Sequence, residues 1–318
     1  MRCKVLFHDN CFDGAVSAAV FTRFYRECVH ADAQFEYEGL FHKAGGAAID
    51  ESVFTGDENA IVDFRYSQSS KLTWWFDHHQ SAFQQPGDEA HFRADTSGKK
   101  FHDGTRKSCT KFLADTASAR FGFKAAPLAD LIHWGEIIDG ALFSSPKMAV
   151  ELAEPALRVM TVLEANKDRG LVLKLIGDLQ TQSLQDIASA AYIQKPLAPL
   201  LARHQENIAL VRRKIQVDRG VATFDVADEG VDSMNKFIAY YLHPELRYTV
   251  WVGGGPQRSK VSIGSNPWHP ELRSHDLSKI AERYGGGGHP VVAAVSFGPK
   301  DLDRARAAAK EIIAELRG

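Results

Sequence analysis

Three short apolar runs in the first eighty residues each end on a side chain able to bind metal or move a proton. Residues 3–7, led by Val5, Leu6 and Phe7, end at His8. Residues 59–62 end at Asp63, and residues 72–76 end at Asp77-His78-His79. Each run reads as a short buried strand, arbitrated by its length. After His8 the chain continues Asp9-Asn10-Cys11-Phe12-Asp13-Gly14 into a helical stretch over 15–25. That is the strand–turn–helix opening of a βαβ unit. Helical periodicity returns over 108–121, with Ser108 as the cap, and over 128–138, just before Asp139-Gly140. Between them, residues 84–107 are polar and rich in Gly, Lys and Arg. They read as a long surface loop or small β-flap holding His91 and His102, with most of its basic residues solvated.

From 155 to 217 the pattern is almost wholly helical. Proline loses a ladder hydrogen bond and clashes with the preceding turn, so interruptions are predicted at Pro196 and Pro199. The domain boundary is placed there. A catalytic α/β domain with a parallel sheet covers 1–195, a linker helix 196–217 and a smaller α/β domain 218–318. In the last, strands are predicted over 221–226, 248–252, 260–263 and 291–297, and helices over 234–242, 277–284 and 301–316. A chain of 318 residues exceeds the ~250–300 at which a single core usually splits, which agrees with two domains.

Composition removes several classes of partner. The formal charge is −2 (38 basic against 40 acidic residues), so no global field draws the chain to duplex DNA or anionic lipid. A polyanionic substrate must be held by local groups or by a metal. No apolar run approaches the ~20 residues of a spanning helix, so no membrane partner is expected. The four cysteines form no C-x-x-C pair and no signal-peptide pattern follows Met1, so reduced thiols and a cytoplasmic setting are expected.

The candidate chemistry lies on one sheet edge. In open parallel α/β sheets ligands bind outside the carboxyl ends of the strands, where His8, Asp63 and Asp77 are predicted. Buried carboxylates are costly unless paired or metal-bound, so three of these endings are hard to explain by packing. Taken alone, Asp77-His78-His79 also fits a surface loop with two solvated histidines. On an extended chain the two imidazoles would point in opposite directions, one to a metal and one to substrate. Asp13 equally suits a helix N-cap. His133 and Glu136 share a helix face, but one turn supplies no third ligand. Gly285-Gly286-Gly287-Gly288 precedes His289 and exceeds the needs of a helix C-cap; it reads as an anion-binding nest or, less in keeping with the apolar strand that follows, a linker.

In this order the pieces resemble the DHH phosphoesterase superfamily of metal-dependent hydrolases, which includes oligoribonucleases, single-strand exonucleases and cyclic-dinucleotide phosphodiesterases. The matching motifs are His8…Asp13-Gly14, Asp63, Asp77-His78-His79 and Asp139. Gly286-Gly287-Gly288-His289-Pro290 with Ala293-Ala294 looks like the associated C-terminal substrate-binding domain. The length suits the two-domain branch acting on nano-RNA and cyclic nucleotides. The resemblance implies an active site in the interdomain cleft. His8, Asp13, Asp63, His78 and Asp139 would ligate two divalent ions, usually Mn2+, with Asp63 bridging. His79 would face the scissile phosphate, Asp77 would orient a histidine, and Gly286, Gly287, Gly288 and His289 would grip the substrate. Two features depart from the pattern. Cys11 stands where an earlier aspartate is usual; as a ligand it would favour Zn2+ or Fe2+, or else it only packs and the first ion is held more weakly. The strand before the glycines, Ser262-Ile263-Gly264-Ser265-Asn266, lacks the usual arginine, leaving Ser265, Asn266 and nearby Arg258 as substrate contacts.

The function expected is hydrolysis of short oligoribonucleotides or linear or cyclic dinucleotides by attack of a metal-activated water on phosphorus. A phosphatase of 3′-phosphoadenosine 5′-phosphate type, a phosphoanhydride hydrolase and a non-catalytic nucleotide or metal sensor are the alternatives. Homodimerisation is left open by the sequence.

Overall fold

The computed structural model describes residues 1–41 and 47–318. Its contacts divide the chain into two compact units, Met1–Leu142 with Ala153–Leu197, and Phe143–Leu152 with Ala198–Gly318. The predicted boundary at 195/196 falls two residues from the division at Leu197. That residues 143–152 belong with the second unit was not legible in the pattern.

The first unit opens β1 (Arg2–His8), α1 (Phe12–Cys28), β2 (Gln34–Leu40), β3 (Glu58–Val62) and β4 (Leu72–Asp77). It continues with α2 (Asp88–Arg93), β5 (Lys100–His102), α3 (Cys109–Phe121) and α4 (Ala129–Asp139). The five strands form one all-parallel sheet in the order β2-β1-β3-β4-β5. This is a doubly wound order, and its direction reverses between β1 and β3. Ligands of such sheets sit outside the carboxyl ends at that reversal. Successive side chains of a strand alternate between faces, so adjacent Trp74 and Trp75 enter opposite cores. Trp74 meets Phe21, Phe24 and Tyr25 of α1. Trp75 packs with Leu6, Ile61, Phe64 and Tyr66. Both indoles are fully buried, which is why the run reads as continuously apolar.

The short α5 (Pro146–Glu151) belongs to the second unit. The first then gains α6 (Pro155–Ala165), α7 (Arg169–Leu179) and α8 (Leu184–Ser189), and α9 (Ala191–Lys214) runs across the division. The interruptions expected at Pro196 and Pro199 are absent: α9 is continuous through both. The carbonyls of Tyr192 and Lys195 lose their ladder partners, but close to the start of the helix, where fewer bonds are at stake. Burial of Ile193 and Leu197 holds that turn in place. The observed breaks instead precede Asp168 and Ser183, whose side chains accept the amides of Gly170 and Asp186 as N-caps.

The second unit carries β6 (Gln216–Asp218), β7 (Val221–Asp225), α10 (Ile238–Leu242), β8 (Tyr248–Gly254), β9 (Ser259–Ser265), α11 (Leu277–Glu282), β10 (Gly287–His289), β11 (Val292–Phe297) and α12 (Leu302–Arg317). Its sheet runs β10-β11-β9-β8-β7-β6, parallel only between β7 and β8. Val250, Val261 and Val295 meet Ile280 of α11 and Ala309 and Ile312 of α12 in its core. The helix predicted over 234–242 begins only at Ile238, because Asn235 turns the chain, accepting the Phe237 amide and donating to Ala149. Segment 143–152 is tied in by three more bonds. Trp268 Nε1 donates to Phe143, His204 Nε2 to Val150, and Tyr241 to Glu151. Among the described residues no helix is long and apolar enough to cross a membrane.

Candidate metal centre

β1, β3 and β4 end side by side, so His8, Asp63 and Asp77 meet at the carboxyl edge where the strand order reverses. Gly14 allows α1 to begin against this edge, since a Cβ there would collide with the His8 carbonyl oxygen. Asp63 sits at φ +57°, a left-handed conformation that Asp tolerates better than most residues. Its amide is held by the Phe76 carbonyl at 2.9 Å.

The two oxygens of Asp63 face different neighbours. Oδ2 lies 3.5 Å from His8 Nδ1, and Oδ1 lies 3.4 Å from His78 Nε2. That same His78 nitrogen is 3.2 Å from Asp139 Oδ2 and 3.9 Å from Asp13 Oδ2. Three ligand groups result, each with its donor atoms within 4.8 Å of one another: His8, Cys11 and Asp63; Asp63, His78 and His79; Asp13, His78 and Asp139. All six residues expected as ligands are therefore brought together, Cys11 among them. His133 and Glu136 belong to none of these groups.

Each donor is held by its own scaffold. Asp13, 1% exposed, is not a cap of α1. Its oxygens accept the Cys109 amide at 2.6 Å and the Thr110 amide at 3.0 Å, which ties α1 to the N-terminus of α3. Ser108 caps α3 as predicted by accepting the Lys111 amide. His78 Nδ1 donates to the Arg106 carbonyl at 3.2 Å, which turns Nε2 toward the carboxylates. His79 Nδ1 donates to Asp77 Oδ1 at 2.7 Å, leaving Nε2 outward on a side chain about a third exposed. The expectation that the two imidazoles point apart is not met: their rings lie 4.5 Å from each other. β4 ends at Asp77, so strand alternation no longer applies to the two histidines.

A divalent ion fits this donor set. Asp63 is 1% exposed, yet neither of its oxygens, nor His78 Nε2, makes a hydrogen bond among the described residues. Glu58 at the opposite edge of the same sheet shows the contrast. It accepts from Tyr25, Trp74 and Lys99 at 2.7–3.0 Å, and these donors outweigh its burial and hold its carboxyl below the usual range. Burial opposes charge on Asp63 as well, but His78 and His8 at 3.4–3.5 Å and the charge of His79 hold its carboxyl well below the usual range, so it stands ionised with oxygens open to a cation. Burial and the Asp63 charge push Asp139 up to about 6, and burial, Asp63 and Asp139 push Asp13 well up. Burial and the charges of Asp63, Asp13 and Asp139 drive the Cys11 thiol well above its ordinary range. Burial opposes charge on His78, but contact with Asp63 and the charges of Asp13 and Asp139 win and raise it to about 10. Divalent ions bound there would take the place of the His78 proton and hold the carboxylates ionised.

The sequence pattern assigns His102 no role. Its Nε2 donates to the His79 carbonyl at 2.8 Å, and its ring stacks on Trp75 at 5.5 Å with a 6° tilt. β5 brings it there by pairing His102 with Asp77; only this register could have revealed it. The supposed substrate contacts of the second unit are less united. Asn266, 1% exposed, spends its amide on the Pro244 and Leu246 carbonyls and the Trp268 amide, so it is a structural residue. Ser265 Oγ donates to Val291. Arg258 lies beside Asp232 at the far end of β9 from Ser265, about 20 Å away along an extended strand. The structure does not bring it together with His289.

The glycine run is a strand rather than a nest. Gly285, at φ +76°, ends α11 with the Gly286 amide on the Ala281 carbonyl, and Gly287–His289 then pair with Val292–Ala294. Side chains at Gly286 or Gly288 would collide with the carbonyls of Ala294 and Val292, whereas Gly287 faces open space.

No protein-family model matches the chain, and no curated protein does. Solved structures do. A pGpG-specific phosphodiesterase, PggH from Vibrio cholerae, is similar with a TM-score of 0.70 at 17% identity, over 99% of both chains. A protein described as a member of the s1p family of ribosomal proteins, PF0399 DHH domain, gives 0.62 at 13% identity over all of this chain and 88% of that one. RecJ from Thermus thermophilus in complex with Mn2+ gives 0.56 at 14% identity; 99% of this chain matches 52% of that one. Such identities speak for architecture, and by that measure the chain has the fold of the DHH-domain proteins.

Proposed function

We propose that this protein is a metal-dependent phosphodiesterase that cleaves linear dinucleotides and short single-stranded oligonucleotides. The observation that carries the reading is Asp63, whose two oxygens face the His8–Cys11 side and the His78 side of one cluster at the sheet's reversal point. The substrate class is supported by the likeness in fold to a pGpG-specific phosphodiesterase.

His8, Cys11 and Asp63 would hold one divalent ion, and Asp13, Asp63, His78 and Asp139 the second. Two such ions activate a water and stabilise the entering and leaving oxygens of an in-line displacement. Mixed imidazole and carboxylate donors suit Mn2+, and the thiol of Cys11 adds affinity for Zn2+ or Fe2+. Asp77, fully buried, fixes the ring of His79 through Nδ1 and so presents Nε2 to the scissile phosphate. Contact with Asp77 also raises the His79 pKa against the effect of burial, which favours a proton on that ring. A protonated Nε2 can pair with a phosphoryl oxygen or deliver its proton to the leaving oxygen.

The test is hydrolysis of a 5′-phosphorylated diribonucleotide by metal-stripped protein given Mn2+, Mg2+, Zn2+ or Fe2+ separately. Mononucleotide release that Asp63→Ala abolishes is the expected result. No turnover with any ion, on longer RNA and cyclic dinucleotides as well, would overturn the reading. A Cys11→Asp variant is expected to shift the preferred ion toward Mn2+ or Mg2+; an unchanged order of ions would remove Cys11 from the ligands.

A further inference from the structure

The second unit contains a cleft of about 870 Å3 between α12, strands β6 to β8 and the last turn of α9. That volume lies within the range of small-molecule sites. Its lining combines two chemistries. Phe224, Val252 and Ile313 are among six apolar residues on its walls, and five of the fourteen lining residues are Lys or Arg, against 38 in the 318 of the chain. Asp225 is the single acid.

Three of the cations are engaged: Lys214 with Glu229 at 2.6 Å, Arg306 with Asp225 and Asp228 at 2.7 and 2.8 Å, and Arg317 with Asp218 at 3.4 Å. Arg213 and Lys310, both exposed, have no ion pair among the described residues. Both line the cleft, so an anion bound there meets two unpaired positive charges. An inorganic anion would leave the apolar wall unused, and a fatty acid offers one charge to two spare cations. A ring-bearing molecule with a dianionic phosphate matches both halves. We propose that this cleft is a nucleoside monophosphate site, formed by the second unit alone and separate from the metal cluster.

The proposal does not depend on the phosphodiesterase reading, because binding is measured with the metals chelated. GMP is titrated calorimetrically into the full chain in EDTA, with inorganic phosphate and laurate as separate probes. The double variant Arg213→Glu/Lys310→Glu is expected to weaken GMP binding at least ten-fold. Ala314→Trp, which fills the cleft from an exposed position without changing charge, is expected to do the same. Both should keep the wild-type melting temperature; if Ala314→Trp does not, the charge reversal decides. GMP affinity untouched by the charge reversal, phosphate binding as tightly as GMP, or laurate binding more tightly would each overturn the assignment.

Discussion

At the scale of single residues, the site depends on groups that hold ligands as much as on the ligands. His102 Nε2 fixes the His79 carbonyl, a bond worth about 1–1.5 kcal/mol. His102→Ala is expected to lower kcat about ten-fold with KM changed less than two-fold, and His102→Gln, which keeps a donor, to recover most of the loss. Steady-state kinetics on the dinucleotide decides this; equal kcat for wild type and His102→Ala would leave the residue a packing role. Asp139 permits an experiment without turnover. Burial and the Asp63 charge disfavour its ionised form in the metal-free protein. Asp139→Asn should therefore raise the melting temperature in EDTA by about 2 °C, on the order of 1 kcal/mol, yet gain less than wild type when Mn2+ is added. A larger Mn2+ shift in the variant would exclude Asp139 as a ligand. The ligands themselves were legible because metal chemistry restricts residue types and because strand endings place them on one edge. Their supports were not. The amide partners of Asp13, at Cys109 and Thr110, lie 96 and 97 residues away in sequence, and main-chain donors carry no side-chain signature.

At the scale of elements, apolar runs marked β1, β3 and β4 because those strands are buried on both faces. β2, Gln34-Phe35-Glu36-Tyr37-Glu38-Gly39-Leu40, has no apolar run because it lies at the edge of the sheet; its mark is the period-two alternation of a half-buried strand. β5, three residues long, is too short for any period. The glycine run shows how far composition can lead: four glycines suggested an anion nest, but two are required by close strand packing. Gly286→Ala and Gly288→Ala should each lower the melting temperature by several degrees, whereas Gly287→Ala should leave it within about 1 °C. Any change in KM for Gly287→Ala would then report contact with substrate rather than damage to the sheet. Equal destabilisation by all three would contradict the strand geometry.

At the scale of the whole molecule, two units were expected from chain length and texture, but the second proves discontinuous. A fragment of residues 198–318 would lose the carbonyl partners of His204, Asn235 and Trp268. One of these bonds is buried and two are part-buried, each worth about 0.5–1.5 kcal/mol, so this fragment should melt below the intact chain, and a peptide of residues 143–152 added in trans should raise it. A fragment indifferent to the peptide would show that the segment only decorates the unit. The same discontinuity sets an order of events during synthesis. The five strands of the first sheet and every proposed ligand have been translated by Asp139. Segment 143–152 follows immediately, but the partners it needs arrive up to 125 residues later, with Trp268. At about 5–20 residues per second, the segment waits roughly ten seconds for those partners, with Phe143, Val150 and Leu152, all buried in the finished unit, still uncovered.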